Sequence, residues 1–201
     1  MIRKAALPIA WAVICMSSAA AALAADKACE REMLRAAQQH GVPLGMLYAV
    51  GLTETGRGDS LRPYALNIEG RSVYDIDKAE AMRQFAAARQ AGIKLIDVGC
   101  MQINHHFHAS HFASVEEMLD PARNVDYAAQ FLKRLRAREG SWTRAVARYH
   151  AGPNNDPAQK RYVCRVIANM VATGFGRWTD DARAFCQPQA AAGTAAVRSR
   201  P

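Results

Sequence analysis

The chain lacks an apolar run long enough for a comfortable membrane span. Its leading run, Leu7 to Met16, falls well short of the roughly 20 residues that a spanning helix needs. It also lacks a pair of cysteines at the close spacing of a zinc site and an internal repeat of useful length. Acidic residues are the minority: 18 Asp and Glu stand against 26 Lys and Arg, for a net charge of +8. These shortages argue against a stable membrane anchor, a cysteine-ligated zinc module and a solenoid. The excess of positive charge points to an anionic polymer as partner, such as a cell wall or membrane surface. It serves equally as a solubility feature.

What is present begins with residues 1–25, which carry the three parts of a secretory signal. Arg3 and Lys4 form the charged start, Leu7 to Met16 the apolar centre, and Ala22-Leu23-Ala24 a small-x-small cleavage site. Cys15 follows Val13-Ile14 and lacks the small residue expected before a lipoprotein cysteine. The reading is an exported protein, and nucleic acid is then the wrong anionic partner. Residues 26–186 make one domain, large enough for a real core. From Gln187 onward the Ala, Gly, Arg and Pro composition cannot build a core, and 187–201 reads as a disordered tail. Beyond the leader stand Cys29, Cys100, Cys164 and Cys186. Four cysteines in an exported domain predict two disulfides, with three pairings open. Cys29–Cys100 with Cys164–Cys186 is the preferred one, since the last two both lie towards the C-terminus.

The periodicity predicts helices over most of the domain. Ala28 to His40 carries a stripe of Met33, Leu34, Ala36 and Ala37, and Gly41 ends it. Residues 43–55 are apolar on nearly every side, the mark of a buried helix. Leu66-Asn67-Ile68 and Arg71-Ser72-Val73-Tyr74 flank Glu69-Gly70 as a short hairpin. Asp77 caps a helix over 78–91, and Lys94 to Asp97 reads as a third short strand. Asp120-Pro121 starts a helix striped by Val125, Ala129, Leu132 and Leu135. Gly140-Ser141 stops it and caps another through Trp142, Val146 and Tyr149; a last helix covers Ala158 to Thr173. The buried helix ends in one carboxylate, Glu54. Burial there favours the neutral acid, so that Glu54 can hold a proton near neutral pH and deliver it. The alternative is an ordinary Glu that reaches solvent or pairs with Arg57 or Arg62.

Three separated signals decide between these readings: Glu54-Thr55, Gly99-Cys100-Met101-Gln102-Ile103-Asn104, and Arg148-Tyr149-His150-Ala151-Gly152. In this order they resemble the Glu-Ser, Gly-Leu-Met-Gln and Ala-Tyr-Asn-Ala-Gly motifs of SLT-type lytic transglycosylases, glycoside hydrolase family 23 of the lysozyme superfamily. Asn124 matches the family's Asn-Ile pair, and the resemblance covers roughly residues 29–173. Three positions depart from the pattern: Thr55 keeps the hydroxyl of Ser, Cys100 replaces a packing Leu, and His150 replaces an Asn. Leu66 to Gly70 resembles a subgroup near the secretion- and conjugation-associated enzymes.

The resemblance implies a mostly α, lysozyme-like α+β fold, a single helical domain with a small β element near residues 66–97. It implies a periplasmic enzyme acting on peptidoglycan glycan strands, alone or beside a secretion, conjugation or flagellar apparatus, and needing neither metal nor cofactor. Glu54 would be the catalytic acid and then base. Thr55, Met101, Gln102, Asn104 and Tyr149 would form the substrate side of the site, with Tyr149 beside Glu54 and hydrogen-bonded to it. A hydrolytic muramidase is the rival; it requires a second carboxylate to position water, for which Asp59, Asp75 and Asp97 are the candidates. A catalytically idle glycan-binding scaffold is another. His105, His106, His108 and His111 read as a solvated loop rather than a metal site.

Overall fold

The computed structural model describes residues 27–56, 60–152 and 154–187. The expected leader and all but the first residue of the expected tail lie outside this range. Helix α1 (Ala28–His40) ends where Gly41 enters the left-handed region at φ +66°, and α2 (Leu44–Thr55) follows after Pro43. A small β element comes next: β1 (Leu66–Ile68) and β2 (Arg71–Val73), then α3 (Lys78–Gln90), β3 (Ile96–Val98) and β4 (Ile103–Asn104). The rest is helical. Short helices α4 (His105–His108) and α5 (Val115–Met118) lead to the long α6 (Pro121–Glu139). After it come α7 (Trp142–His150), α8 (Asp156–Ala172) and α9 (Asp180–Cys186).

Local chemistry sets most of the helix starts. Asp77, Ser114, Asp120, Ser141, Asn155 and Thr179 each accept a hydrogen bond from a first-turn backbone N–H, which satisfies a donor that a helix cannot pair internally. α2 is held differently. It has no side-chain cap and almost no polar face, and its position comes from burial of Leu47, Ala49 and Val50. It lies against α1 and α8, while α6 packs on both α1 and α7. Gly51 permits the closest approach: a Cβ there would come within 2.4 Å of both the Leu61 Cδ2 and Met33 Cε atoms.

The sheet is antiparallel throughout, in the order β2-β1-β3-β4. Side chains alternate across it. Leu66, Ile68, Ile96 and Val98 enter the core, and Asn67 and Asp97, paired in register, stay on the other face. Strands of three residues are marginal alone; these persist because the helical core covers their apolar side. The fourth strand, absent from the expectation for 66–97, carries the sheet on to Asn104. The fold is the expected mostly α one with a small antiparallel sheet. No helix among the described residues is long and apolar enough to cross a membrane.

The histidine segment, expected as a solvated loop, is helical, though His106, Phe107 and His111 are exposed as expected. It is folded into α4 and a 3₁₀ turn over Ala109–His111. His108 Nδ1 lies 2.8 Å from the Tyr127 hydroxyl, and the His105 ring meets Phe85 edge-on. Asn104 begins the segment by accepting the His106 backbone N–H.

Candidate active site

Glu54 sits in the last turn of α2, where the helix ends and Gly56 turns to extended backbone. The helix thus delivers one carboxyl to the edge of the core. Its partner comes from 108 residues further on: the Tyr162 hydroxyl of α8 donates to Glu54 Oε1 at 2.5 Å. Tyr162 is fully buried. Burial, followed by the negative charge of Glu54, holds its phenol well above the ordinary range, so it remains a donor. α2 and α8 are tied again one turn away, where Asn169 Nδ2 donates to Thr53 Oγ1 at 2.9 Å.

The Glu54 carboxyl is pushed up to about 7. Burial is the main cause, the charge of Asp97 adds to it, and the Tyr162 hydrogen bond and Arg165 oppose it. Of the two alternative Arg partners, only Arg62 is described, and it is engaged elsewhere. Arg62 pairs with Asp75 at 2.6 Å, and Arg57 lies outside the described residues. Near neutral pH this carboxyl is present in both forms, which suits a group that first gives and then takes a proton.

The middle motif is a turn built on Asn124 of α6. Gly99 adopts φ +80°, and a Cβ there would lie 2.5 Å from Asn124 Nδ2. Asn124, completely buried, accepts the Met101 backbone N–H at 2.9 Å and donates to the Val98 and Met118 carbonyls at 2.9 and 2.8 Å. Most remaining bonds of the motif fasten it to a neighbour. Thr55 Oγ1 donates to the Cys100 carbonyl at 3.0 Å, which joins the end of α2 to the turn. Gln102 Nε2 donates to the Ala65 and Gly99 carbonyls at 3.1 and 3.0 Å. Asn104 Nδ2 donates to Asp97 Oδ1 at 2.7 Å. The Cys29–Cys100 disulfide anchors the turn to α1.

The structure therefore brings the anticipated residues together, with a different division of labour. Thr55 and Met101 are 0% exposed, so they act as a tie and as packing rather than as surface for a ligand. Tyr149 lies near Glu54 without being its hydrogen-bond partner in this structure: its hydroxyl donates to the Met101 carbonyl at 2.7 Å. Tyr162 takes the place expected of Tyr149. Its only mark in the sequence is a position on the stripe of Val163 and Val166, where a tyrosine reads as core. Above it lies His150, whose ring stacks on the Tyr162 ring at 4.2 Å and 3°.

Of the three candidate second carboxylates, Asp75 is engaged by Arg62, Asp59 lies outside the described residues, and Asp97 has its field on Glu54. Burial raises the Asp97 pKa, and the Asn104 bond opposes this. Among the described residues no three His, Cys, Asp or Glu side chains converge to hold a metal ion.

No curated protein and no solved structure matches the chain. A family model does: that of the transglycosylase SLT domain, over residues 32–168. The matched stretch runs from α1 into α8 and includes Glu54, the Asn124-held turn, Tyr149 and Tyr162. The chain belongs to the SLT transglycosylase family, enzymes that act lytically on peptidoglycan.

Proposed function

We propose that the protein cleaves the glycosidic bond between N-acetylmuramic acid and N-acetylglucosamine and closes a 1,6-anhydro ring on the muramoyl product. Glu54, protonated, gives its proton to the glycosidic oxygen as the C1–O bond breaks. The substrate's own N-acetyl group stabilises the oxocarbenium-like centre, so no second acid is required. The Glu54 carboxylate then takes the proton of the muramoyl 6-hydroxyl, and O6 bonds to C1. The observation that carries this reading is the single carboxyl at the end of α2, held by Tyr162 through Oε1 and raised to about 7. Oε2 stands outside that bond and is the oxygen assigned to the substrate. Gln102, Asn104 and Tyr149 are assigned to the substrate side, through the turn that they brace.

Asp97 supports a second reading. A carboxylate whose field reaches Glu54 can position water, and the enzyme would then be a hydrolytic muramidase. The two differ by one water in the product. Mass analysis of muropeptides released from sacculi separates them, with anhydro ends expected. Glu54→Gln is expected to abolish release while sacculus binding persists. Anhydro-muropeptides at a comparable rate from that variant would remove Glu54 from the mechanism, and binding without turnover by the wild type would indicate an idle scaffold. Export through residues 1–25 to the periplasm belongs to the same proposal, as does a place beside a secretion or conjugation apparatus, which rests on Leu66 to Gly70 alone.

A further inference from the structure

Beside the catalytic carboxyl, and separate from it, lies a cavity of about 1200 Å³ between α7, α8 and α9. Four cations line it: Arg144, Lys160, Arg161 and Arg165, against one carboxylate, Asp156. Among the described residues none of the four forms an ion pair with a carboxylate. Among the described residues Lys160 reaches the Gln187 carbonyl at 3.4 Å and the face of Phe185 at 5.5 Å; Arg165 lies over Tyr162 at 5.7 Å. The remaining wall is mixed: Ala147, Val163 and Phe185 give it apolar surface, and Ser141, Thr143 and Gln159 add neutral polar groups. α9 lies beyond the stretch matched by the family model, and the Cys164–Cys186 disulfide clamps it onto α8. The cavity is thus built partly from residues added to the family domain.

Its position relates it to the chemistry. His150, on the cavity wall, stacks on Tyr162, and Tyr162 donates to Glu54. Two rings separate the cavity from the carboxyl. A wall that mixes guanidinium groups, free of carboxylate partners among the described residues, with apolar surface suits a peptide bearing several carboxylates. On the peptidoglycan reading, the muramoyl residue whose bond is cut carries such a peptide. We propose that this cavity binds the carboxylate-bearing peptide stem of the muramoyl residue at the scissile bond. The inference rests on peptidoglycan being the substrate. It adds that the enzyme distinguishes strands with stems from strands without them.

The test uses the full chain, glycan strands with intact stems, and the same strands after amidase removal of the stems. Arg144→Gln with Arg161→Gln removes two of the four cavity charges and leaves His150, Tyr162 and Glu54 in place. On stem-bearing strands kcat/KM is expected to fall about tenfold. On denuded strands it should stay within a factor of two, with an unchanged melting temperature. In a parallel titration, free stem peptide should bind the wild-type chain and lose that binding in the double variant. Equal activity of variant and wild type on stem-bearing strands overturns the proposal. So does an equal loss on both substrates, or stem-peptide binding that survives the double substitution. If an unrelated peptide of equal charge binds as well as the stem, the cavity is a general anion surface suited to an acidic partner, and the stem assignment fails. Should the wild type cleave neither substrate, the peptidoglycan reading itself fails, and the titration still decides whether the cavity takes the stem.

Discussion

At the scale of single residues, the proposed mechanism depends on where one proton sits. Glu54 must be protonated in the free enzyme to act first as an acid. With its pKa at about 7, kcat/KM should be level on the acid side of that value and fall about tenfold for each pH unit above it. The Tyr162 hydrogen bond favours the charged form. Tyr162→Phe should therefore move the falling limb to higher pH while lowering the plateau, because the carboxyl loses its orienting donor. Tyr149→Phe removes a bond to the Met101 carbonyl, costs about 0.5–1.5 kcal/mol of stability and should leave the limb in place. Profiles of kcat/KM against pH for the two variants check this, and identical profiles would refute the assignment of Tyr162. Stability carries the same signature. A carboxyl whose folded pKa is raised from 4.5 to about 7 contributes fully below the lower value, and the contribution is lost as pH rises through the higher one. Glu54→Gln should consequently be the more stable protein above pH 7, by a margin on the order of 3 kcal/mol at most, and the gap should close near pH 4. Urea unfolding at both pH values measures it.

At the scale of elements, the turn over residues 99–102 is the part most exposed to a single change. Asn124 satisfies one buried N–H and two buried carbonyls of three different segments. Asn124→Ala would remove all three bonds, at about 1–3 kcal/mol for each group left unsatisfied. The expected result is a loss of at least about 3 kcal/mol in chemical denaturation, with activity falling further than stability as Met101 and Gln102 lose their register. A loss below about 1 kcal/mol would mean that other groups hold the turn. Much at this scale was legible in advance. Asp77, Asp120 and Ser141 marked helix starts that the structure keeps, because a cap is a bond between residues three apart. The two-residue strand β4, the histidine helix α4 and the C-terminal helix α9 were not legible. β4 exists by pairing with β3, α4 contributes only four residues, and α9 is held by a disulfide.

At the scale of the whole molecule, two disulfides close loops of different length and consequence. Both expected pairs are present, Cys29–Cys100 with a separation of 71 residues and Cys164–Cys186 with 22. Replacing Cys29 and Cys100 by Ala should cost about 4 kcal/mol and lower activity on every substrate, because Cys100 belongs to the turn beside Glu54. Replacing Cys164 and Cys186 by Ala should cost about 3 kcal/mol and spare cleavage of denuded strands, since that bridge clamps α9, a wall of the basic cavity, onto α8. Denaturation together with turnover on both substrates checks the pair. Equal effects of the two replacements on denuded strands would contradict this division.

The sequence by itself determined the features that are local or compositional: the caps, the apolar stripes, the buried α2 and the carboxylate at its end. It also determined the order of the three motifs, which sufficed for the family. Only the tertiary structure decided which side chain meets Glu54. Tyr149 and Tyr162 are both tyrosines of amphipathic helices in the same part of the chain, and no local pattern ranks one above the other. The packing of α8 on α2 does so, by setting the Tyr162 hydroxyl at 2.5 Å and turning Tyr149 towards the Met101 carbonyl. Thr55 and Met101 followed the same rule. Their residue types suited a ligand-facing role, and the close approach of the turn to α2 buried them both. Hydrogen bonds between residues a hundred positions apart depend on the angle and depth at which two helices pack, and that geometry is a property of the assembled core.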